Sequence, residues 1–372
     1  MCENSTAGPE FLKTQMTLEL RIEQIGDMHI KPYAELSRSE YGDTAAVSRL
    51  DHLRWKFLDN PQGPSVGIHL YRENHLAGRM VALSRQFVYR GRIFKAAHIV
   101  DFLVHSKERS MNALFQLASG LRGLTNFDFL LIMSPNSAGA AVWEKFVKMR
   151  GYFELDVAIA PLRPVALLRS AGKIRNDAMA RFLDPTWYLL SSAAFRVAGS
   201  FRGVSVETRW PERKEIEGLL EADWGQQIVG VRTAEFLEWR YRRGPVFRYE
   251  VHFLRERGEL CGYFVTRRTA YEGIDCLFVV DAFGRPDVRP SAWRAVSSAS
   301  IATIRGKSPE MAMILGNAQW GPLAAVNHIP YISVPMERLP RKTTVYAQWM
   351  TEPAFDIRQD NFYVALGDSD VV

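Results

Sequence analysis

Apolar and polar positions recur at two distinct periods along the chain. LELRIEQI, at 18–25, alternates every second residue, which predicts a strand with one buried face. Over 30–41 and 45–58 the apolar positions fall three and four apart. That predicts two helices, the second stopped by Asn60-Pro61. Residues 65–71, 76–89 and 92–105 return to alternation and predict three antiparallel strands, joined by tight turns at Glu73-Asn74 and Arg90-Gly91. A helix is predicted over 111–124, then the apolar strand FDFLLIM, then Ser134-Pro135-Asn136 and a helix over 137–149 closed by Gly151. A strand pair from 153 to 169 ends this run, its second member at 165–168.

A second run has the same outline. It predicts a strand at 204–209, helices at 212–221 and 234–242, and strands at 249–254, 260–268 and 275–282. A helix at 291–305, the strand MAMIL, a short helix at 322–327 and closing strands including TTVYAQWM and NFYVAL follow. Individual residues repeat as well. LRWKFLDNP (53–61) aligns with LEWRYRRGP (237–245), and LYRENHLAGRMV (70–81) with LRERGELCGYFV (254–265), at one ungapped offset of 184. Identical pairs include Leu53 and Leu237, Trp55 and Trp239, Pro61 and Pro245, Leu70 and Leu254, Leu76 and Leu260, Gly78 and Gly262, and Val81 and Val265. IVDFLV (99–104) then meets FVVDAF (278–283). A repeated order of elements with repeated residues predicts a duplicated unit.

Length and composition agree. A chain of 372 residues, 47% hydrophobic and 24% charged, is globular and suits two domains. The expected division is a disordered lead-in at 1–15, a first domain at 16–169, a basic connector at 170–203 and a second domain at 204–372. The fold class is α+β, with a mixed, mainly antiparallel sheet flanked by helices in each domain. Three cysteines, none in a C-x-x-C pair, fit a reducing compartment, and no apolar run reaches bilayer-spanning length. The expected location is therefore cytoplasmic. The net charge of +6 is mild and concentrated: 161–203 holds seven basic residues against Asp177 and Asp184. This does not demand nucleic acid. It does allow the connector to lie against the anionic inner face of a membrane; the alternative is a solvated helix packed between domains.

Particular segments resemble the GNAT superfamily of N-acetyltransferases, in the tandem form found near bacterial polysaccharide genes. LRWKFLDNP leading to the hairpin HLAGRMV resembles the entry of such proteins. DFLVHSKERSMNALFQL (101–117) stands where the family has its fourth strand, pyrophosphate loop and following helix, and SPNSAGAAVWEKFVKMRGY (134–152) resembles the fifth strand and its helix. FYVALGDSD resembles the C-terminal strand. The resemblance spans 16–370. It implies an acyl-CoA, acetyl-CoA or another, as co-substrate. The pantetheine arm would lie along Phe102, Leu103 and Val104 as an added strand. The phosphates would meet Lys107, Arg109, Ser110 and Asn112 at a helix start. Asn136 would contact the pantetheine or cap its helix. Trp143 stands where the family often has a Tyr that protonates the thiolate; its alternative is helix packing. Asn112 and Leu114 stand where the family has glycines.

Acyl transfer to an amine needs a base, a held oxyanion and protonation of the thiolate, but no covalent nucleophile. Asp101 and His105 share strand parity, which places both on one face of their strand as candidate bases, with His98 on the other. The alternatives are an ion pair for Asp101 and a solvated strand end for His105. Asp281 and Asn317 are the second-half counterparts of Asp101 and Asn136. Eight dispersed histidines show no metal-ligand spacing, so no metal is expected. The resulting expectation is direct N-acylation of a small-molecule or sugar acceptor. A Fem-like aminoacyl transferase and an inactive binding or scaffold protein are the alternatives.

Overall fold

The computed structural model describes residues 18–133, 137–149, 151–170, 172, 183–187, 190, 203–288, 290–302, 309–316, 331–335 and 343–368. The first half opens with β1 (Glu19–Gln24), α1 (Asp27–Tyr41) and α2 (Leu50–Phe57). The strands β2 (Val66–Arg72), β3 (His75–Tyr89) and β4 (Arg92–Val104) follow as a meander. Their turns use the left-handed backbone that closes two-residue hairpins: Glu73 and Asn74 at φ 48° and 70°, then Arg90 and Gly91 at φ 48° and 73°. Next come α3 (Met111–Ser119), β5 (Phe129–Met133), α4 (Ser137–Val142) running into a π-helical turn over Trp143–Val147, β6 (Gly151–Glu154) and β7 (Asp156–Pro161).

The expected strand at 165–168 is instead the helix α5 (Pro164–Ser170). Proline is tolerated at a first helical position because its missing N–H has no partner there. Asp184 accepts from the Val165 and Ala166 amides at 2.8 and 3.0 Å and so caps the same end.

The second half contributes β8 (Val204–Glu207), α6 (Arg213–Gly218), β9 (Ile228–Gly230), α7 (Ala234–Leu237) with a π-helical turn over Glu238–Arg242, and the meander β10 (Glu250–Glu256), β11 (Glu259–Tyr271) and β12 (Ile274–Gly284). It ends with α8 (Pro290–Ala302), β13 (Met311–Gly316), β14 (Ile332–Val334), β15 (Thr344–Trp349) and β16 (Phe362–Tyr363). The helix expected at 322–327 lies outside the described residues.

The two halves share a slip in sheet register. Leu70 pairs with Gly78 and the ladder then slips, so that Tyr71 meets Leu76. Leu254 pairs with Gly262 and slips identically, so that Arg255 meets Leu260. Trp55 and Trp239, equivalent positions, meet where the halves touch. Their rings stack at 5.1 Å, and each indole N–H donates to the other's carbonyl at 2.8 Å. Equivalent residues bonding reciprocally mark a local two-fold relation between the halves.

Neither sheet is made by one half alone. The first runs β1-β2-β3-β4-β5-β15-β6, and the second runs β14-β7-β13-β12-β11-β10-β8. The strand at 344–349 thus stands between β5 and β6 of the first sheet, whereas the sequence reading places it with the second half. The strand at 156–161 pairs with β13 in the second. β9 adds to the far end of β3, and β16 pairs with β9. Each sheet buries both faces, the first between a core around Ala97, Ile99, Leu117 and Trp143 and another around Phe87, Phe129, Leu131 and Phe362.

Candidate active site

The strands β4 and β5 are parallel and pair only over Ala96–Phe129, Ala97–Leu130 and His98–Leu131. Beyond His98, β4 continues to Val104 on the β3 side alone, while β5 is held by β15. The two strands therefore part, and among the described residues the β5-facing edge of residues 99–104 has no ladder partner. The second half has the same geometry, with β12 and β13 pairing only from Cys276–Met311 to Val279–Ile314. That second wedge is filled by the chain itself. Ala365 bridges to Gly316, and Gly367 lies so close that a Cβ there would stand 3.1 Å from the Val280 carbonyl oxygen and 2.3 Å from the Tyr241 hydroxyl. Asp368 follows, buried between Arg85 at 2.7 Å and Arg232 at 2.5 Å.

In the first wedge, β4 bulges at the candidate base. Arg79 pairs with Leu103 and Val81 with Val100, so Asp101 and Phe102 together face Met80. Asp101 takes the left-handed region at φ 50°, unusual for a non-glycine residue. The bulge removes the parity that placed Asp101 and His105 on one face. Asp101 is fixed by two cations, accepting from Lys56 Nζ at 2.7 Å and Arg79 Nη2 at 3.0 Å. Arg79 also donates to the Tyr33 carbonyl and the Ser37 hydroxyl and lies over the Tyr33 ring. Burial alone would push the Asp101 carboxyl up, but Lys56 and Arg79 hold it well below the usual carboxylate range. Its counterpart Asp281 sits in a like network, accepting from Tyr241 at 2.7 Å, Tyr263 at 2.9 Å and Arg232 at 3.3 Å. Position 263 is the repeat of 79, so the same site grips the same aspartate in both halves. Asp101 is thus ion-paired, and Asp281 makes comparable contacts.

His105 lies at the strand end, its Nδ1 accepting from the Lys107 amide at 3.2 Å. In the neutral ring the proton then resides on Nε2, which makes His105 a cap of the short turn Ser106–Glu108. Ser110 caps α3, its hydroxyl accepting from the Ala113 amide at 3.1 Å. Lys107, Arg109 and Asn112 are exposed around this helix start. Arg109 donates to the Val104 carbonyl at 3.1 Å and pairs with Glu40, which also accepts from the Ser106 amide at 2.7 Å. Burial pushes the Glu40 carboxyl up, but Ser106 and Arg109 bring it below its ordinary value. Glu108 is held bidentately by Arg72 at 2.7 and 2.8 Å. Leu114 packs against the core beneath α3. Phe102 meets Trp143 at 5.5 Å, and Trp143 is buried in that same core, the packing alternative. Leu103 and Val104 are buried along β4. Asn136 and Asn317 lie outside the described residues, as do Arg175 and Arg181 of the connector.

An open strand edge that ends at a cationic helix start fits an extended amide chain carrying phosphates. The two acidic side chains beside that turn narrow the fit to Lys107, Arg109 and the first amides of α3.

Among the described residues, one group has metal-ligand character: Glu23, His29 and His69. Its hydrogen bonds assign it another role. The Gly26 amide donates to His29 Nδ1 at 3.0 Å, so neutral His29 carries its proton on Nε2, 3.4 Å from Glu23. A ligating nitrogen needs a lone pair at that atom. His69 is engaged at both nitrogens, with Tyr33 at 2.5 Å and Glu23 at 3.0 Å. The set ties β1, α1 and β2 together.

No protein-family model and no curated relative matches the sequence. Solved structures do match. A conserved protein of unknown function from Enterococcus faecalis, described as a probable N-acyltransferase, superimposes at TM-score 0.57 with 12% identity, over 89% of this chain and 72% of its own. The fold is that of the GNAT-type N-acyltransferases. A GCN5-related N-acetyltransferase from Anabaena variabilis matches this GNAT fold at TM-score 0.56 and 10% identity, over 90% and 73% of the two chains. Saccharomyces cerevisiae N-myristoyltransferase, solved with bound myristoyl-CoA, matches at 0.53 and 12%, over 92% and 82%. Among the described residues, no helix is long and apolar enough to cross a membrane.

One residue of the first wedge is not among the candidate bases. His98 is buried at the apex, and neither of its ring nitrogens has a hydrogen-bond partner among the described residues. Burial, then Arg85, Lys56 and Arg240, push its pKa down to about 3. Burial likewise brings His52, His69 and His252 to about 4. Unfolding lets all four return toward 6.5, so below that pH the unfolded chain binds protons the folded chain refuses. Stability is therefore expected to fall as pH drops from 6.5 toward 4, by up to ~1.4 kcal/mol per pH unit for each histidine. Denaturant titrations at pH 7.0, 5.5 and 4.5 read this directly, and a flat profile would refute it.

Proposed function

We propose that the chain is an acyl-CoA-dependent N-acyltransferase, built from two tandem GNAT-like halves, that works in the first wedge. The observation that carries this is the asymmetry between the wedges. The second is occupied by residues 365–368, whereas the first, among the described residues, keeps its β4 edge without a ladder partner and ends at Lys107, Arg109 and the start of α3. An acyl thioester laid along Phe102–Val104 brings its carbonyl to the bulge. There Asp101 and Phe102 stand off the β3 ladder and can turn backbone N–H groups to an oxyanion. The acceptor nitrogen attacks the thioester carbon; the C–N bond forms, the C–S bond breaks, one proton leaves the nitrogen and one reaches the thiolate. Asp101 serves as a positioning residue that fixes the bulge, and His105 as one that fixes the turn. The acceptor is an amine of a small molecule or sugar.

Calorimetric titration with acyl-CoA thioesters from acetyl to myristoyl, paired with hydrogen exchange, tests the reading. Binding should come with slowed amide exchange over 99–104 and unchanged exchange over 279–284. An aminoacyl transferase of Fem type and an inactive scaffold both predict no heat and no protection, and that result would remove the proposal.

A further inference from the structure

His98 is the last β4 residue in register with β5, opposite Leu131, so its ring stands where the strands begin to part. It faces away from the core that holds Ala97 and Ile99, toward the side where the second half packs. Arg85 shares that face: Leu83 lies opposite His98 and Arg85 opposite Ala96, which makes His98 and Arg85 diagonal neighbours. Arg85 donates through Nη2 to Asp368 and lies 4.6 Å over Phe236, yet its Nε, like both nitrogens of His98, has no partner among the described residues. Lys56 and Arg240, equivalent positions of the duplication, flank the Trp55–Trp239 contact and act on the same ring, with Asp368 opposing them. The fold thus places a neutral imidazole, two of whose polar atoms are unsatisfied, in a buried field dominated by cations. Buried polar atoms without partners are rare in folded proteins, and each calls for a ligand, an ordered water or a function.

We propose that His98 and the cations around it receive an oxyanion carried by the amine acceptor. This rests on the acyltransferase reading and specifies its acceptor class. A neutral imidazole has one N–H donor and one lone pair. The N–H donates to the oxyanion, and the lone pair accepts from an N–H of the adjacent amine. Arg85 Nε supplies a second, charge-assisted donor. An amino acid or an aminoalkyl phosphate satisfies this arrangement. A polyamine, which brings positive charge to Arg85, Lys56 and Arg240, does not.

Calorimetry on the full chain, with and without acetyl-CoA, tests this with three probes: glycine, 2-aminoethyl phosphate and ethylamine. At least one of the two anionic amines should bind and ethylamine should not, and the stronger of the two anions identifies the oxyanion. His98→Leu should remain folded, because it deletes two unsatisfied atoms, and should weaken anionic binding by about tenfold or more. His98→Gln, which keeps a donor and an acceptor, should retain binding within a few fold. Equal affinity for ethylamine and the anionic amines, or His98→Leu binding like the parent, overturns the inference. Acyl-CoA binding without anion binding overturns it alone. Anion binding that depends on His98, without acyl-CoA binding, supports the anion site and removes the transferase reading instead.

Discussion

Asp368→Ala should lower the stability of the whole protein by about 3–5 kcal/mol, the range for breaking a buried pair and leaving its partner charged. Two guanidinium groups converge on this one carboxylate: Arg85 from the first half and Arg232 from the second, which it shares with Asp281, all of them buried. Asp368 also accepts from the Ala365 amide at 3.0 Å, so its loss frees the segment that fills the second wedge. Asp368→Asn should recover part of the loss by keeping the shape. Denaturant midpoints for the two variants measure this. A loss below about 1 kcal/mol for the alanine variant, the size of an exposed pair, would show that the wedge filler is not a structural element. Acyl-CoA binding by the fraction that remains folded should be close to that of the parent, because the segment lies in the other wedge.

Asp101→Ala should cost a similar amount, about 3–5 kcal/mol, and should abolish acyl-CoA binding as well. Its side chain is 5% exposed and holds Lys56 and Arg79 together, and it keeps the bulge in left-handed backbone that alanine resists. Without it, β4 can return to regular pairing with β3, which moves residues 102–104 relative to the wedge. The sign with pH follows from the depressed carboxyl: its contribution is complete above the ordinary aspartate value of 3.8 and declines only as pH falls below that. In the parent, Asp101 therefore adds to acid unfolding below pH 3.8, beneath the window assigned to the histidines; in Asp101→Ala that lower limb should flatten. Calorimetric binding at pH 7 with melts at pH 3 separates the two effects. A variant that is destabilised but binds acyl-CoA normally would detach the bulge from the site.

The contrast between the two aspartates shows what the sequence carries and what it does not. The strands of both meanders and their turns were legible, because alternation and pairs such as Arg90-Gly91 act within a few residues. The shared register slip of the two meanders was legible from Leu70, Gly78 and their counterparts Leu254 and Gly262, since the same slip needs the same small and large residues. The exchange of strands was not. DVAIAP and TVYAQW are both short and apolar, and either would satisfy either sheet. PVALLRS has the composition of a strand and becomes a helix because Pro164 starts it and Asp184, some twenty residues on, caps it. The bulge at Asp101 depends on Lys56 and Arg79, from another helix and another strand. The sequence places His98 only on the opposite face of its strand, because a single histidine in an apolar alternation gives no hint that its nitrogens go unpaired among the described residues.

The placement of β15 has a consequence for synthesis of the chain. Residues 344–349 stand between strands made at 129–133 and 151–154, so the first sheet keeps an unfinished gap until residue 349 has left the ribosome. At ~5–20 residues per second, that delay is on the order of 10–40 seconds with apolar edges uncovered. Nascent chains stalled before residue 344 should therefore be hungry for chaperones, and neither half can be cut out and expected to live by itself.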